Sequence, residues 1–384
     1  MRVTHIITRL IVGGAQENTV SSVLGLHRRH QLDIDLISGP SDGPEGSLEP
    51  EFQAFPGMLH LARHLVRPVH PWHDWRALAE LTAMLRRRQP DLVHTHSGKA
   101  GVLGRIAAAR AGVPCVVHTI HGPSFGPFQG RLANALFLGA ERHAARFTTH
   151  FVSVAHAMTR QYLEAGIGRP EQYTRILSGF PIQSFLDARP DPALRARLGL
   201  APDDFVITKI ARLAPLKGHE DLMAVAPLLI ARQPRVRFLL LGDGPLRGRL
   251  ERQARAAGCA SHVHFAGLVP PADIPGWIAL SDAVVHLSRR EGLPRAVSQS
   301  MAAGKPVIAY DCDGAGEICR TDETGFLLRP GDREELTRRL EQLATDPALG
   351  RRLGAEGRRV VQHDFTVERM VDDLQSLYER LRGR

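Results

Sequence analysis

Between Ala283 and Tyr310 the chain spells strand, turn, helix and strand in immediate succession. Ala283 to Leu287 is an apolar run, and Ser288 to Gly292 is polar and ends on glycine. From Leu293 the apolar positions Leu293, Val297 and Met301 recur at helical spacing, with Ala296 and Ala302 beside them. Pro294 falls in the first turn, where a missing N–H costs nothing, and Gly304 follows the last helical residue as a C′ glycine does. Pro306 to Tyr310 is a second short β run. Such a succession belongs to an α/β sheet. It puts Glu291 at the carboxyl end of a strand and the amino end of a helix. Open α/β sheets bind ligands there, and helix N–H groups there face an anion or sugar hydroxyls.

The same alternation runs through the whole chain. Val3 to Thr8 reads as the first strand, and Gly13-Gly14 opens a helix that extends to about His30. This glycine pair is not the dinucleotide fingerprint, but it suits a close backbone approach to phosphate or sugar. Leu32 to Ser38 is a second strand, and residues 39–57 read as a turn-rich loop. A helix is expected from about Asp74 to Arg88, with Arg86, Arg87 and Arg88 at its favourable carboxyl end. Strands follow over Asp91 to Thr95, Val113 to Ile120 and Phe151 to Val154, with helices between them. Tyr173 to Leu177 closes the first unit, and prolines mark a hinge near 179–203. The second half restarts with a strand over Phe205 to Ile210. Arg212 and Lys217 then flank a turn that enters a helix, and two cations at a helix N-terminus make an anion site. Strands over Val236 to Leu241, Val263 to Phe265 and Gly325 to Leu328 complete the unit, and the chain is helical from Asp332 onward. The expected domains are 1–180 and 181–365, with the last helix, 366–384, packing back on the first.

With 384 residues the chain suits two or three domains. It holds no apolar run long enough to span a bilayer, and MRVTHIITRL enters a β run without the apolar core of a signal peptide. The four cysteines, Cys115, Cys259, Cys312 and Cys319, are expected to be reduced thiols. His94 and His96 share one face of a strand, but no third ligand stands at a plausible spacing, so no metal is expected. The formal charge of +9 is uneven: residues 52–180 hold 15 Lys+Arg against 6 Asp+Glu, and the rest balances. That half is expected to meet an anionic acceptor or surface. Trp72 and Trp75 lie there among Arg63, Arg67 and Arg76, a combination suited to an anionic membrane surface. Aromatic residues are only 5% of the chain, so nucleic acid is not an expected partner.

Glu291, Gln299 eight positions on, and the strand entry Gly304-Lys305-Pro306-Val307 resemble the signature of retaining glycosyltransferases of family 4, which have the GT-B fold. The family has Glu where this chain has Gln299. The resemblance covers nearly the whole chain and implies two Rossmann-like α/β/α domains facing a central cleft. It implies that Glu291, with Gly292 and Leu293 beside it, faces the donor sugar. Gln299 would hold the ribose hydroxyls as donor and acceptor, without a charge-assisted bond. Arg212 and Lys217 match the family's diphosphate clamp, and Gly13-Gly14 its glycine turn between donor and acceptor. The turn Gly242-Asp243-Gly244-Pro245 is similar to the family's strand-to-helix reversal. DLVHTHSGKAG and GVPCVVHTIHG are similar to members that extend bacterial surface polysaccharides. There a histidine after the strand approaches the donor sugar; His121 fits best and His118 second. Glu317 is implied as a supporting residue. The implied activity is metal-independent hexosyl transfer from a UDP- or GDP-sugar, itself the substrate, so that no separate cofactor is needed. The acceptor would be lipid-linked or a saccharide, and the enzyme cytoplasmic, on the inner face of the cell membrane. An epimerase or phosphorylase on the same fold, or a non-catalytic anion binder, is the alternative.

Overall fold

The computed structural model describes residues 1–41 and 46–383. They form two compact units, Met1–Phe180 with the carboxyl-terminal segment from Thr366, and Pro181–Phe365.

In the first unit the strands are β1 (Arg2–Ile7), β2 (Asp33–Ser38), β3 (Leu59–Leu61), β4 (Leu92–His96), β5 (Cys115–Ile120), β6 (His150–Ser153) and β7 (Tyr173–Arg175). The helices between them are α1 (Gly14–His30), α2 (Pro71–Arg88), α3 (Gly98–Ala111), α4 (Arg131–Ala145) and α5 (His156–Glu164). All strand pairs are parallel, in the order β3-β2-β1-β4-β5-β6-β7. Both faces of such a sheet must be covered, which is why β4 and β5 are buried at every position.

The second unit opens with two short helices, α6 (Gln183–Leu186) and α7 (Pro192–Arg197), in the segment read from sequence as a hinge. Its strands are β8 (Phe205–Ile210), β9 (Val236–Leu241), β10 (Val263–Gly267), β11 (Ala283–His286), β12 (Val307–Tyr310) and β13 (Gly325–Leu328). The helices are α8 (His219–Arg232), α9 (Arg247–Ala256), α10 (Ile274–Ala279), α11 (Arg295–Ala302), α12 (Arg333–Thr345) and α13 (Pro347–Val361). The sheet order is β10-β9-β8-β11-β12-β13, again all parallel. The chain then returns to the first unit as α14 (Val367–Arg382), whose Met370, Val371, Leu374, Leu377 and Tyr378 are buried in the core beside β1, β4 and α1.

Three local expectations are revised. α2 begins at Pro71 rather than Asp74: His70 caps it and proline takes the first position, where its lost N–H is harmless. That brings Trp72 into the helix. Pro294 is the N-cap of α11 rather than a helical residue. β3 (Leu59–Leu61) is a strand not expected from the sequence: only three residues pair with β2 and no period-2 pattern has room to show. Of the loop expected over 39–57, residues 42–45 lie outside the described residues. Glu49–Phe52 form a 3-10 turn. The close of α11 follows the glycine expectation: Gly304 has φ 71°, its N–H bonds Met301 O at 2.8 Å and Lys305 N–H bonds Ser300 O at 3.0 Å.

A buried ion pair joins α3 to α4. Arg105, with 0% of its surface exposed, donates to Glu141 Oε2 at 2.5 Å and to Gly101 O at 2.7 Å. Removing one partner strands the other charge in the core, at a cost of about 3–5 kcal/mol. Arg105→Met is expected to lower the unfolding free energy by about that amount. Arg105→Met with Glu141→Leu should recover much of it, read from urea midpoints at constant m-value.

Candidate active site

In both sheets the strand order reverses at one place, between β1 and β4 and between β8 and β11. Loops leaving neighbouring strands there diverge to opposite faces and open a crevice at the carboxyl edge.

In the second unit the loop after β8 carries Arg212 and Lys217, and the loop after β11 carries Glu291. The two are stitched together. Leu216 takes a left-handed conformation, φ 67°, and its carbonyl accepts the Arg289 N–H at 2.7 Å. Gly218, φ 68°, lies so close to the end of β11 that a Cβ would stand 2.0 Å from Leu287 O, so no side chain fits. Lys217 Nζ then donates to Glu291 Oε1 at 2.5 Å, and His286 Nε2 lies 3.3 Å from the same oxygen. A third loop, after β12, closes the set: Glu291 N–H donates to Asp313 Oδ2 at 2.6 Å and Gly314 N–H to Gly292 O at 2.9 Å. The Glu291 amide, which the sequence leaves facing a ligand, is therefore taken by the Asp313 carboxylate.

Burial works to raise the Glu291 pKa, but the contacts with His286 and Lys217 outweigh it and hold the carboxyl well below the usual range. Glu291 is thus ionised throughout the physiological range. Beneath this pair lies Lys209, on β8 and 1% exposed. Burial and the Lys217 charge push its amine down to about 7. Asp221, near the start of α8, braces the floor: Arg289 Nη2 donates to it at 2.7 Å, Arg333 Nε at 2.8 Å and Tyr310 Oη at 3.1 Å. Arg212 is exposed, and its backbone carbonyl bonds the ring of buried His219 at 3.0 Å. Gln299 is half-buried on α11, and Glu317 ends a 3-10 turn. The structure thus brings Arg212, Lys217, Glu291, Gly292 and Leu293 onto adjoining loops of one edge.

In the first unit Gly13 caps α1, its carbonyl accepting the Glu17 N–H at 2.9 Å, and Gly14 is exposed beside it. His121 follows β5 and is half-buried, with Nε2 3.0 Å from His96 Nδ1. His118 points to the other side of the sheet, where it bonds Thr95 Oγ1 at 2.9 Å and meets the Phe151 ring edge-on. It is a core histidine. The spacing argument against a third histidine near His94 and His96 is corrected: His5 on β1 pairs in register with His94, and nitrogens of the three lie within 4.8 Å of one another. Their ring nitrogens are engaged in hydrogen bonds with His121, Tyr378, Thr119 and each other. The four cysteines are unpaired, three of them buried.

Sequence reading missed Lys209, His286, Asp313 and His5. Lys209 and His286 each interrupt an apolar strand near its carboxyl end, which is a usable signal. Asp313 and His5 carry none.

Two open parallel sheets of this order, the second with a cationic loop at its switch point, make a GT-B architecture. The crystal structure of Anabaena Alr3699/HepE in complex with UDP-glucose superposes on this chain with a TM-score of 0.82 at 23% identity, covering 99% of this chain and 100% of that one. The family described as "Glycosyl transferases group 1" matches residues 190–360, and "Glycosyl transferase 4-like domain" matches residues 13–179. The chain is 33% identical over 309 residues to the putative glycosyltransferase EpsD of Bacillus subtilis (strain 168), covering 78% of this chain and 79% of the relative. It is 27% identical over 382 residues to the UDP-Gal:alpha-D-GlcNAc-diphosphoundecaprenol alpha-1,3-galactosyltransferase of Escherichia coli, covering 98% and 96%. The chain belongs to the group 1 glycosyltransferases and carries their 4-like amino-terminal domain.

Lys209 gives the site a pH signature. Its amine has an ordinary pKa of 10.5 when unfolded and about 7 when folded, so between these values the unfolded chain holds the extra proton and stability rises with pH. Below about 7 the burial penalty is fully present. Lys209→Met is therefore expected to raise Tm, most at pH 6 and progressively less toward pH 10, in paired thermal scans.

Proposed function

We propose that this chain is a retaining, metal-independent hexosyltransferase. It moves a sugar from a UDP-sugar to a lipid-linked saccharide in surface-polysaccharide synthesis. The observation that carries this reading is the Lys217–Glu291 contact, an ammonium and a carboxylate held on neighbouring switch-point loops with Arg212 at the start of the same loop. UDP is favoured over GDP because the Escherichia coli relative is named for UDP-galactose and the Anabaena structure holds UDP-glucose. The lipid-linked acceptor is favoured because that relative is named for a diphosphoundecaprenol substrate.

In the proposed reaction the bond between the anomeric carbon and the diphosphate oxygen breaks. The acceptor hydroxyl oxygen bonds that carbon on the same face, and its proton leaves with the diphosphate. Negative charge develops on the leaving group, so fixed cations act on the transition state. Arg212 and Lys217 supply them. Lys217 has three N–H donors and gives Glu291 one, so it meets phosphate without releasing the carboxylate. Glu291 orients hydroxyls of the transferred sugar, with Gly292 and Leu293 beside it. Gln299 holds the ribose. In the first unit Gly13, Gly14 and His121 are the residues proposed for sugar or phosphate oxygens, and in the second Glu317 supports the sugar loop.

The first unit carries a surface suited to lipid. Trp72 and Trp75 are 54% and 59% exposed and stacked with ring centroids 5.4 Å apart, with the Arg76 guanidinium 4.9 Å over Trp72. Arg63 and Arg67 are exposed nearby in sequence, and α4 exposes Leu132 and Leu136 beside Arg131. Among the described residues no helix is long and apolar enough to cross a membrane. The proposal is peripheral attachment to the inner face of the cell membrane, each basic residue near an anionic leaflet adding about 1 kcal/mol.

Arg212→Ala and Lys217→Ala are each expected to reduce sugar transfer by about 10²–10³ and weaken UDP binding, with the fold retained. EDTA should leave wild-type transfer intact. Wild-type rates in both variants would remove the clamp, and loss of activity in EDTA would remove metal independence. Turnover of UDP-sugar to a nucleotide-linked epimer, or dependence on inorganic phosphate, would establish an alternative reaction.

Co-sedimentation tests the membrane reading. Binding is expected to vesicles containing phosphatidylglycerol, not to phosphatidylcholine alone, and to fall at high salt. Replacing Arg63, Arg67 and Arg76 with Gln should release the protein without changing UDP affinity. Binding indifferent to lipid charge and salt would overturn the idea.

A further inference from the structure

One face of the first sheet carries a continuous line of hydrogen bonds between side chains. His94 Nε2 lies 2.6 Å from Thr119 Oγ1, and His94 Nδ1 bonds the Tyr378 hydroxyl. That hydroxyl lies 3.1 Å from His5 Nε2, His5 Nδ1 lies 2.9 Å from His96 Nε2, and His96 Nδ1 lies 3.0 Å from His121 Nε2. The strand register explains the line: His5 faces His94, and His96 faces Thr119, so all four lie on one side, and α14 delivers Tyr378 onto them. His5, His94 and Tyr378 are 0% exposed, His96 is 1%, and only His121 reaches half-burial.

Burial lowers the pKa of every ring in the line, His5 to about 3 and His121 to about 4, so each is neutral and carries one N–H. A ring with one N–H that donates at one nitrogen must accept at the other. Each ring therefore imposes its direction on the next link; the Tyr378 hydroxyl could accept from both neighbours only by leaving its own O–H buried and unmade, so two patterns run unbroken along the line. In one, His94 Nε2–H donates to Thr119, each link follows, and His121 ends with a bare Nδ1. In the other, Thr119 O–H donates to His94 Nε2, His94 Nδ1–H to Tyr378, Tyr378 O–H to His5, His5 Nδ1–H to His96 and His96 Nδ1–H to His121 Nε2. His121 then ends with Nδ1–H. The Thr119 end decides between them. Thr119 is 4% exposed, and His94 is the acceptor available to its hydroxyl among the described residues. The first pattern leaves that O–H buried and unmade, a cost of about 1–3 kcal/mol. The second leaves only a spare lone pair.

We propose that the line from Thr119 through His94, Tyr378, His5 and His96 sets the tautomer of His121, holding it as a neutral Nδ1–H donor for an oxygen of the bound nucleotide sugar. His121 Nδ1 has no hydrogen-bond partner within the protein among the described residues, which leaves it for that acceptor. The five other residues are positioning residues that act through His121. The identity of the ligand rests on the function proposed above; the tautomer does not.

The test is nitrogen NMR of histidine-labelled, full-length protein without ligand, where a protonated and a bare ring nitrogen resonate far apart. His121, assigned by loss of its signals in His121→Asn, is expected to show Nδ1–H and a bare Nε2. Thr119→Val and Tyr378→Phe should each shift it toward Nε2–H or a mixture, and Thr119→Ser should restore it. In parallel, kcat should fall at least about tenfold in Thr119→Val, toward the 10²–10³ of a lost donor, with UDP Kd unchanged and Thr119→Ser near wild type. An Nε2–H tautomer in the wild type, or an Nδ1–H tautomer indifferent to Thr119→Val and Tyr378→Phe, overturns the proposal. An inactive wild type with the expected tautomers would sink the transferase reading and leave the hydrogen-bond line standing.

Discussion

Every strand in both sheets is parallel, and that constraint governs the rest of the molecule. A parallel strand cannot turn back on itself, so each needs a crossover, an α-helix in most cases and a loop with a 3-10 turn between β2 and β3 and between β12 and β13, and all carboxyl ends share one edge. Residues far apart in sequence are thereby gathered without any contact having been selected locally. Arg212, Lys217, Glu291 and Asp313 leave three different strands and meet because β8, β11 and β12 are neighbours. His5, His96 and His121 meet on the other sheet for the same reason.

The two gatherings differ in their electrostatics. In the second unit the edge is ionic. Glu291 stays charged although burial opposes it, because Lys217 and His286 share one of its oxygens. Asp221 stays charged against the same opposition through Arg289 and Arg333. Lys209 has no such close partner among the described residues, and burial pushes its pKa down to about 7. In the first unit the cluster is neutral. Histidines packed with ring centroids 4.4 Å to 5.3 Å apart cannot all be charged, and burial removes the charge from each. Order there is carried by hydrogen-bond direction rather than by charge.

Strain marks the ionic edge. Leu216 and Asp313 both adopt left-handed backbone conformations that non-glycine residues rarely hold, and each lies in a loop bonded to the Ser288–Gly292 turn. The three loops restrain one another, so the Lys217–Glu291 distance is set by backbone contacts and does not depend on the ion pair alone.

The elements were legible in sequence wherever a period could be read. β8, β9 and β13 have the bounds that apolar runs imply, while β3 is too short to show a period. Arg212, Lys217 and Glu291 were legible because a cation or carboxylate beside a strand-to-helix turn has a local signature. By itself the sequence determined two α/β units, the existence of every strand but β3 and a cationic loop. Only the tertiary structure decided that His5 stands beside His94, that Tyr378 from the last helix completes their line, that His118 turns away into the core and that Asp313 takes the Glu291 amide. These depend on strand order and register, which lie in the packing of apolar faces between distant segments and not in any window of the chain.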